Sequence, residues 1–393
     1  MRSFVSDKAK NIKPSGIRKF FDIVAERDDV ISLGVGEPDF ITPWEIRNAG
    51  IQSIKKGYTQ YTSNKGLLSL RKEISEYLKS EYSVSSFSAD DIVITLGASE
   101  AIDVTLRAIV NEGDEILVPD PSYVSYKPCI ELCGGKPVSV PCSGDNGFKL
   151  TPESLESVIT KKTKAIIFPY PNNPTGGIME REYIEKIIPV ILKHDLLVIS
   201  DEIYAELTYG GKHCSIASFK ELEDRVVLIS GFSKAFAMTG WRVGYVCAPE
   251  EIKTALLKIH QYSAICAPSF SQYAAVGGLI KFKEDNYAAV KEMQEEYDKR
   301  RKFMYRTFTE MGLECFEPKG AFYIFPSVES TGLNGQEFAT RLLESKKVAV
   351  VPGDAFGEFG KNYIRCSYAY SMKNLIEATS RIAEFVEELK AGK

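Results

Sequence analysis

Between residues 92 and 229 the chain is punctuated by short runs of β-branched and other apolar residues: Ile92–Leu96, Glu115–Val118, Ala165–Phe168, Leu196–Ile199 and Val226–Ile229. Each run is nearly continuous rather than alternating, the pattern of a parallel strand buried on both faces. Amphipathic stretches with apolar positions at helical spacing, such as Ser99–Val110 and Glu180–Lys193, separate them. The alternation predicts an α/β fold, an open and mostly parallel sheet with helices on both sides. Ligands in such sheets bind beyond the carboxyl ends of the strands. Each run here is followed by a distinctive group: Gly97-Ala98-Ser99, Asp120-Pro121-Ser122-Tyr123, Pro169 to Gly177, Asp201-Glu202-Ile203-Tyr204, and Ser230 to Lys234. Five loops are therefore expected to converge on one rim.

The pattern changes after Val246. Val290, Met293, Tyr297, Met304 and Phe308 recur at helical spacing through a highly charged segment and predict one long helix. Ala321–Phe325, Val348–Val351 and Tyr363–Tyr368 read as strands, and Met372–Leu389 as a closing helix. The expectation is a large domain over residues 46–288 and a smaller α+β domain over 289–393, with residues 1–45 forming an N-terminal arm and part of the small domain. Neither repeats nor a flexible linker interrupts the chain, so the two domains should pack together.

Composition narrows the function classes. With 393 residues, 44% hydrophobic and 26% charged, the chain is ordinary globular material. A formal charge of −4 argues against nucleic acid or an anionic membrane as partner. Without a signal-like N-terminus or an apolar run near the ~18 residues of a membrane span, the expected location is the cytoplasm. The eight cysteines are dispersed, without a Cys-x-x-Cys pair, and suit reduced thiols. Three histidines, His194, His213 and His260, form no metal-ligand spacing, so no metal site is expected.

The chemistry enters at the last run. Ser230-Gly231-Phe232-Ser233-Lys234 places a lysine just beyond an apolar strand, among small residues, with Arg242 eight positions later. That is how a protein holds pyridoxal phosphate: the amine forms an imine and the arginine meets the phosphate. A lone Ser-x-x-Lys also arises by chance around a surface lysine, so the other loops must carry the reading. Gly97-Ala98-Ser99 opens a helix after a strand, where backbone N–H groups can bind a phosphate. Asp201, ending an apolar strand, could keep a pyridine nitrogen protonated; it could equally cap a helix. Asn173 and Tyr204 could both hydrogen-bond the ring's phenolic oxygen, and Tyr123 could stack on the ring or simply pack.

These residues resemble the fold-type-I, pyridoxal-phosphate-dependent aminotransferases of the class I/II family. Gly36-Glu37-Pro38-Asp39-Phe40, Tyr61, Asn173-Pro174-Thr175-Gly176, Asp201-Glu202-Ile203-Tyr204, Gly231 to Gly244, Gly320-Ala321-Phe322-Tyr323 and Arg365 match that family's motifs in order. The resemblance is closest to its bacterial branch of N-acetyl-diaminopimelate, aromatic and aspartate aminotransferases. It implies a seven-stranded large domain and makes Lys234 the imine-forming lysine and proton carrier, Asp201 the partner of the ring nitrogen, and Asn173 and Tyr204 the partners of the phenolic oxygen. Ala98, Ser99, Ser233 and Arg242 would hold the phosphate, Tyr123 would cover the ring, and Tyr61 would reach the phosphate of a neighbouring subunit in a homodimer with its active sites at the interface. Arg365 would grip the substrate carboxylate, with Gly36 and Asn173 beside it; an arginine on a strand otherwise reads as a surface charge. The implied reaction moves an amino group from an L-amino acid to a 2-oxoacid, 2-oxoglutarate being the expected acceptor. A carbon–sulfur β-lyase on the same scaffold is the alternative, because the cofactor carries the chemistry. Gln261–Tyr273 contains no basic residue, which weakens an aspartate-only reading.

Overall fold

The computed structural model describes residues 4–14 and 29–392; the rest of the expected N-terminal arm lies outside them. In chain order the elements are α1 (Asp7–Asn11), β1 (Ile31–Ser32), α2 (Trp44–Lys55), α3 (Leu68–Tyr82), β2 (Ile92–Thr95), α4 (Ala98–Ile109), β3 (Glu115–Asp120), α5 (Tyr126–Leu132) and β4 (Lys136–Pro141). Then come α6 (Pro152–Glu156), β5 (Thr163–Phe168), α7 (Arg181–Lys193), β6 (Leu197–Asp201), β7 (Val226–Gly231), β8 (Gly244–Cys247), α8 (Glu250–Ser263) and α9 (Ser269–Glu284). The chain ends with α10 (Ala288–Glu310), β9 (Tyr323–Ile324), α11 (Gly335–Lys346), β10 (Val348–Ala349), β11 (Val351–Pro352), β12 (Ile364–Ser367) and α12 (Met372–Lys390).

The expected parallel sheet is present, with seven strands in the order β2-β8-β7-β6-β5-β3-β4. Only β8 runs against its neighbours, β2 and β7. The continuous apolar runs follow from helices covering both faces. Ile166, Val198 and Leu228 point into one core, while Ile167, Ile199, Val227 and Ile229 point into the other. Every residue from Val226 to Ile229 is at most 1% exposed. Burying each such side chain contributes about 1.5–3 kcal/mol relative to leaving it in water. From β4 at one edge the chain returns to β5 on the other side of β3, so the strand order reverses between β3 and β5 and opens a crevice at their carboxyl ends.

A second core joins α10, α11 and α12 to the short strands, with Tyr297, Phe308, Leu342, Ile364 and Ile382 fully buried. Leu33 belongs to it too, because β1 pairs in parallel with β10. One sequence expectation changes here. The run Val348–Val351 is two strands: β10 pairs with β1, whereas β11 pairs antiparallel with β12, and the chain changes sheets at the buried Val350. Strands β4 and β8 had no counterpart in the sequence reading.

Candidate active site

The carboxyl ends of β3, β5, β6 and β7 and the start of α4 surround a cavity of about 560 Å³. Gly36, Ala98, Ser99, Tyr123, Asn173, Asp201, Tyr204, Ser233, Lys234, Arg242 and Arg365 all line it. Tyr61 does not; it is 82% exposed, on a loop outside the cavity.

Lys234 follows the last residues of β7, and its Nζ donates to the carbonyl of Gly36 at 2.6 Å. Burial pulls its amine down to about 8, with Arg365 and Arg242 pushing the same way and Glu37 and Asp201 opposing. A lysine so placed can give up a proton near neutral pH.

Asp201 ends β6 and is 6% exposed. Its Oδ2 accepts from the Tyr126 hydroxyl at 2.8 Å and its Oδ1 from the Ile203 N–H at 3.2 Å. Turns rather than a helix follow it, so it caps nothing. Burial raises its carboxyl to about 6, partly offset by those two hydrogen bonds. The sign follows: the folded chain disfavours the ionised form, so the ligand-free protein is unburdened below the ordinary value of 3.8 and loses stability as pH rises through about 6. Above that range the cost is about 3 kcal/mol. In urea titrations near pH 8, ligand-free Asp201→Asn is expected to unfold later than the parent, the gap closing towards about pH 4. A gap that does not vary with pH would contradict the assignment.

The phosphate-like end is built from close backbone approach. Gly97, at φ +79°, precedes α4, which carries no side-chain cap, so first-turn N–H groups at Ala98 and Ser99 border the cavity. A Cβ on Gly97 would lie 2.7 Å from Arg242 Nη2, and one on Gly244 would lie 2.4 Å from the carbonyl carbon of Gly97. Only glycine fits at either place. Arg242 is held by two carbonyls, Nη1 on Thr239 and Nη2 on Leu96, both at 3.0 Å.

Arg365 comes from β12 and is 2% exposed, so it is no surface charge. Its Nη1 donates to Asn173 Oδ1 at 3.0 Å and its Nη2 to the Gly34 carbonyl. The guanidinium lies 4.5 Å from the ring centre of Tyr323 and 4.8 Å from that of Phe356. Its Nε is buried without a partner. A buried, unpaired donor is costly, and its presence at a cavity wall suits an anionic ligand.

Asn173 and Tyr204 face the cavity, yet in this structure Asn173 accepts from Arg365 and the Tyr204 hydroxyl pairs with that of Tyr323 at 2.9 Å. Sequence reasoning missed Tyr126, Tyr323 and Glu37 as site residues, although all line the cavity. Tyr126 stands three positions beyond Tyr123, at the start of α5 and just past the strand-end group, and that spacing was the available signal. Among the described residues no cluster of His, Cys, Asp and Glu could hold a metal ion.

Residues 28–382 match the family model described as aminotransferase class I and II. An aminotransferase-family protein of Bacillus subtilis (strain 168), YugH, is 49% identical over 388 residues, covering 99% of this chain and 100% of its own. An aspartate aminotransferase of Pyrococcus abyssi is 44% identical, covering 98% of this chain and 99% of its own. The solved aromatic aminotransferase of Pyrococcus horikoshii superimposes with a TM-score of 0.90 at 43% identity, covering 94% of this chain and 99% of that one. With a cavity of this build and a family match along nearly its whole length, the chain belongs to the class I and II aminotransferases, enzymes that move an amino group between an amino acid and a 2-oxoacid.

Proposed function

We propose that the cavity holds pyridoxal 5′-phosphate and that the enzyme passes an amino group from an L-amino acid with an uncharged, aromatic side chain to a 2-oxoacid such as 2-oxoglutarate. The observation that carries this reading is one cavity joining an amine drawn down to about 8, a buried carboxyl and two arginines, each held by hydrogen bonds. The residues fit the cofactor. Asp201 would offer a carboxyl to the ring nitrogen, the uncapped start of α4 with Ser99, Ser233 and Arg242 would receive the phosphate, Tyr123 would cover the ring, and Asn173 and Tyr204 would meet its phenolic oxygen.

When bound, the cofactor supplies a protonated pyridine ring that accepts the electron pair left as the donor loses its α-proton. Lys234 Nζ would take that proton from the α-carbon and deliver it to the cofactor within the same half-reaction, and would carry a proton the opposite way, onto the α-carbon of the second substrate, in the other. Arg365, whose buried Nε has no partner, receives the α-carboxylate of either substrate and so fixes the α-carbon. The cations lining the cavity are Lys234, Arg242 and Arg365, and all three are occupied in this scheme. Glu37, which also lines the cavity, accepts from the Thr239 hydroxyl at 2.8 Å. Nothing in the described cavity is then left to meet a second carboxylate on the donor.

The same reading makes the enzyme a cytoplasmic homodimer. Trp44, Ile51, Ile54, Tyr58, Tyr61 and Tyr262 are large, apolar and exposed. The segment around Tyr58 and Asn64 runs against Ile265, Ser269 and Tyr273, which brings exposed apolar residues from both stretches of chain together. No helix among the described residues is long and apolar enough to cross a membrane, and all eight cysteines are free thiols.

A donor panel assayed against 2-oxoglutarate tests the proposal. Aromatic donors are expected to exceed aspartate in kcat/KM by roughly tenfold or more, the cost of burying an unpaired carboxylate being at least that large. Aspartate exceeding them would overturn the side-chain assignment. Release of ammonia and pyruvate without any 2-oxoacid would overturn transamination in favour of the β-lyase.

A further inference from the structure

We propose that Glu100, backed by His260, is the positioning residue of the phosphate end of the cavity. The inference rests on the cofactor reading above. Glu100 is the third residue of α4, where an acidic side chain ordinarily folds back onto the first N–H groups of its own helix. It would then compete with a phosphate for the same donors. Here it reaches further. Its Oε2 accepts from the N–H of Leu96 at 2.6 Å, one residue before the Gly97 cap, while the N–H of Gly97 is taken by the Thr95 carbonyl at 2.8 Å. The donors at Ala98 and Ser99 stay available to the cavity.

Leu96 is thereby gripped on both sides, at its N–H by Glu100 and at its carbonyl by Arg242 Nη2. A single backbone residue sets the distance between the helix start and the arginine, the two parts that must close on one phosphate. The Thr95 hydroxyl, donating to the Gly97 carbonyl at 3.0 Å, stiffens the same turn.

Glu100 is itself fixed from behind. Its Oε1 meets His260 Nδ1 at 2.8 Å; the histidine side chain, from α8, is 0% exposed and that of Glu100 11%. His260 Nε2 is buried without a partner, so donation through Nδ1 is the arrangement that strands no N–H. The pair faces away from the cavity, as neither residue lines it. Glu100 therefore acts on the phosphate only through Leu96.

The test is equilibrium binding to the cofactor-free enzyme of two probes, pyridoxal 5′-phosphate and pyridoxal, which differ only in the phosphate. Glu100→Ala is expected to weaken the phosphorylated probe roughly tenfold to a hundredfold, the range for a lost charged hydrogen bond, and to leave pyridoxal within about twofold. Glu100→Gln should restore most of the loss, since its amide oxygen can still accept from Leu96. His260→Ala should give a smaller loss with the same phosphate selectivity, and it keeps the proposal testable should Glu100→Ala fail to fold. Equal loss of both probes, or unchanged binding of both, overturns the proposal. If the unaltered protein binds neither probe, the cofactor reading fails first, and this inference with it.

Discussion

Lys234→Ala is expected to cut turnover by about 10⁴-fold while the protein still binds pyridoxal 5′-phosphate, because it removes the amine placed to carry the α-proton. Its Nζ sits 2.6 Å from the Gly36 carbonyl, and burial with Arg365 and Arg242 lowers it to about 8. Both features belong to an amine that must lose and regain a proton within a turnover. Lys234→Arg should do no better, since a guanidinium stays charged throughout the accessible pH range. Single-turnover assays with saturating donor would measure the loss, and the visible band of the bound cofactor would show that the site is filled. Near-native rates in either variant would remove Lys234 from its role.

The second large effect belongs to Arg365. Arg365→Lys is expected to lower kcat/KM by about 10²–10³-fold, or about 3–4 kcal/mol, the scale for breaking a buried hydrogen-bonded charge pair. Lysine keeps the charge but loses the fork. The guanidinium reaches Asn173 and Gly34 together, lies between the rings of Tyr323 and Phe356, and still holds Nε free. A lysine at this position can serve one of those partners and leaves the others buried and unpaired. The diagnostic comparison is between an amino acid and the corresponding amine without its carboxylate. In the variant the preference for the amino acid should collapse; a preserved preference would place the carboxylate elsewhere.

The parts of this fold that sequence made legible are those decided by burial on two faces. Ile166 and Ile167, or Leu228 and Val227, point to opposite cores, and only a strand sandwiched between helices needs an unbroken apolar run. Strand β4 was missed because it is an edge, with Lys136 exposed and prolines at 137 and 141, so it lacks that run. Strand β8 is short and begins with Gly244, whose place is dictated by the backbone of Gly97 rather than by propensity. The break at Val350 was invisible because both halves are equally buried, and hydrophobicity does not say which sheet receives each.

Similar logic governs the site. Lys234, Asp201 and Arg242 were readable from residue type at the ends of strands. Tyr126 and Tyr323 were not, since a buried tyrosine in sequence looks like packing until its hydroxyl is seen on Asp201 or Tyr204. Glu100 sat inside an ordinary amphipathic helix. Its importance comes from a backbone N–H before the helix begins, and side-chain periodicity does not register that partner.

The pairing of β1 with β10 sets an order of assembly. Ile31 lies opposite Val348, with almost the whole chain between them. Immediately after β1 come Gly34 and Gly36, whose carbonyls receive Arg365 and Lys234. During synthesis this early segment emerges long before its partner strand exists, and a contact so distant in sequence closes late because its loop entropy must be overcome first. The large sheet can form from contiguous βα units while both cationic side chains still lack these acceptors. In refolding, capture of the cofactor in its final geometry should therefore lag behind recovery of helical signal. Lys234 and Arg365 gain these two acceptors only once the segment around β1 has docked on β10.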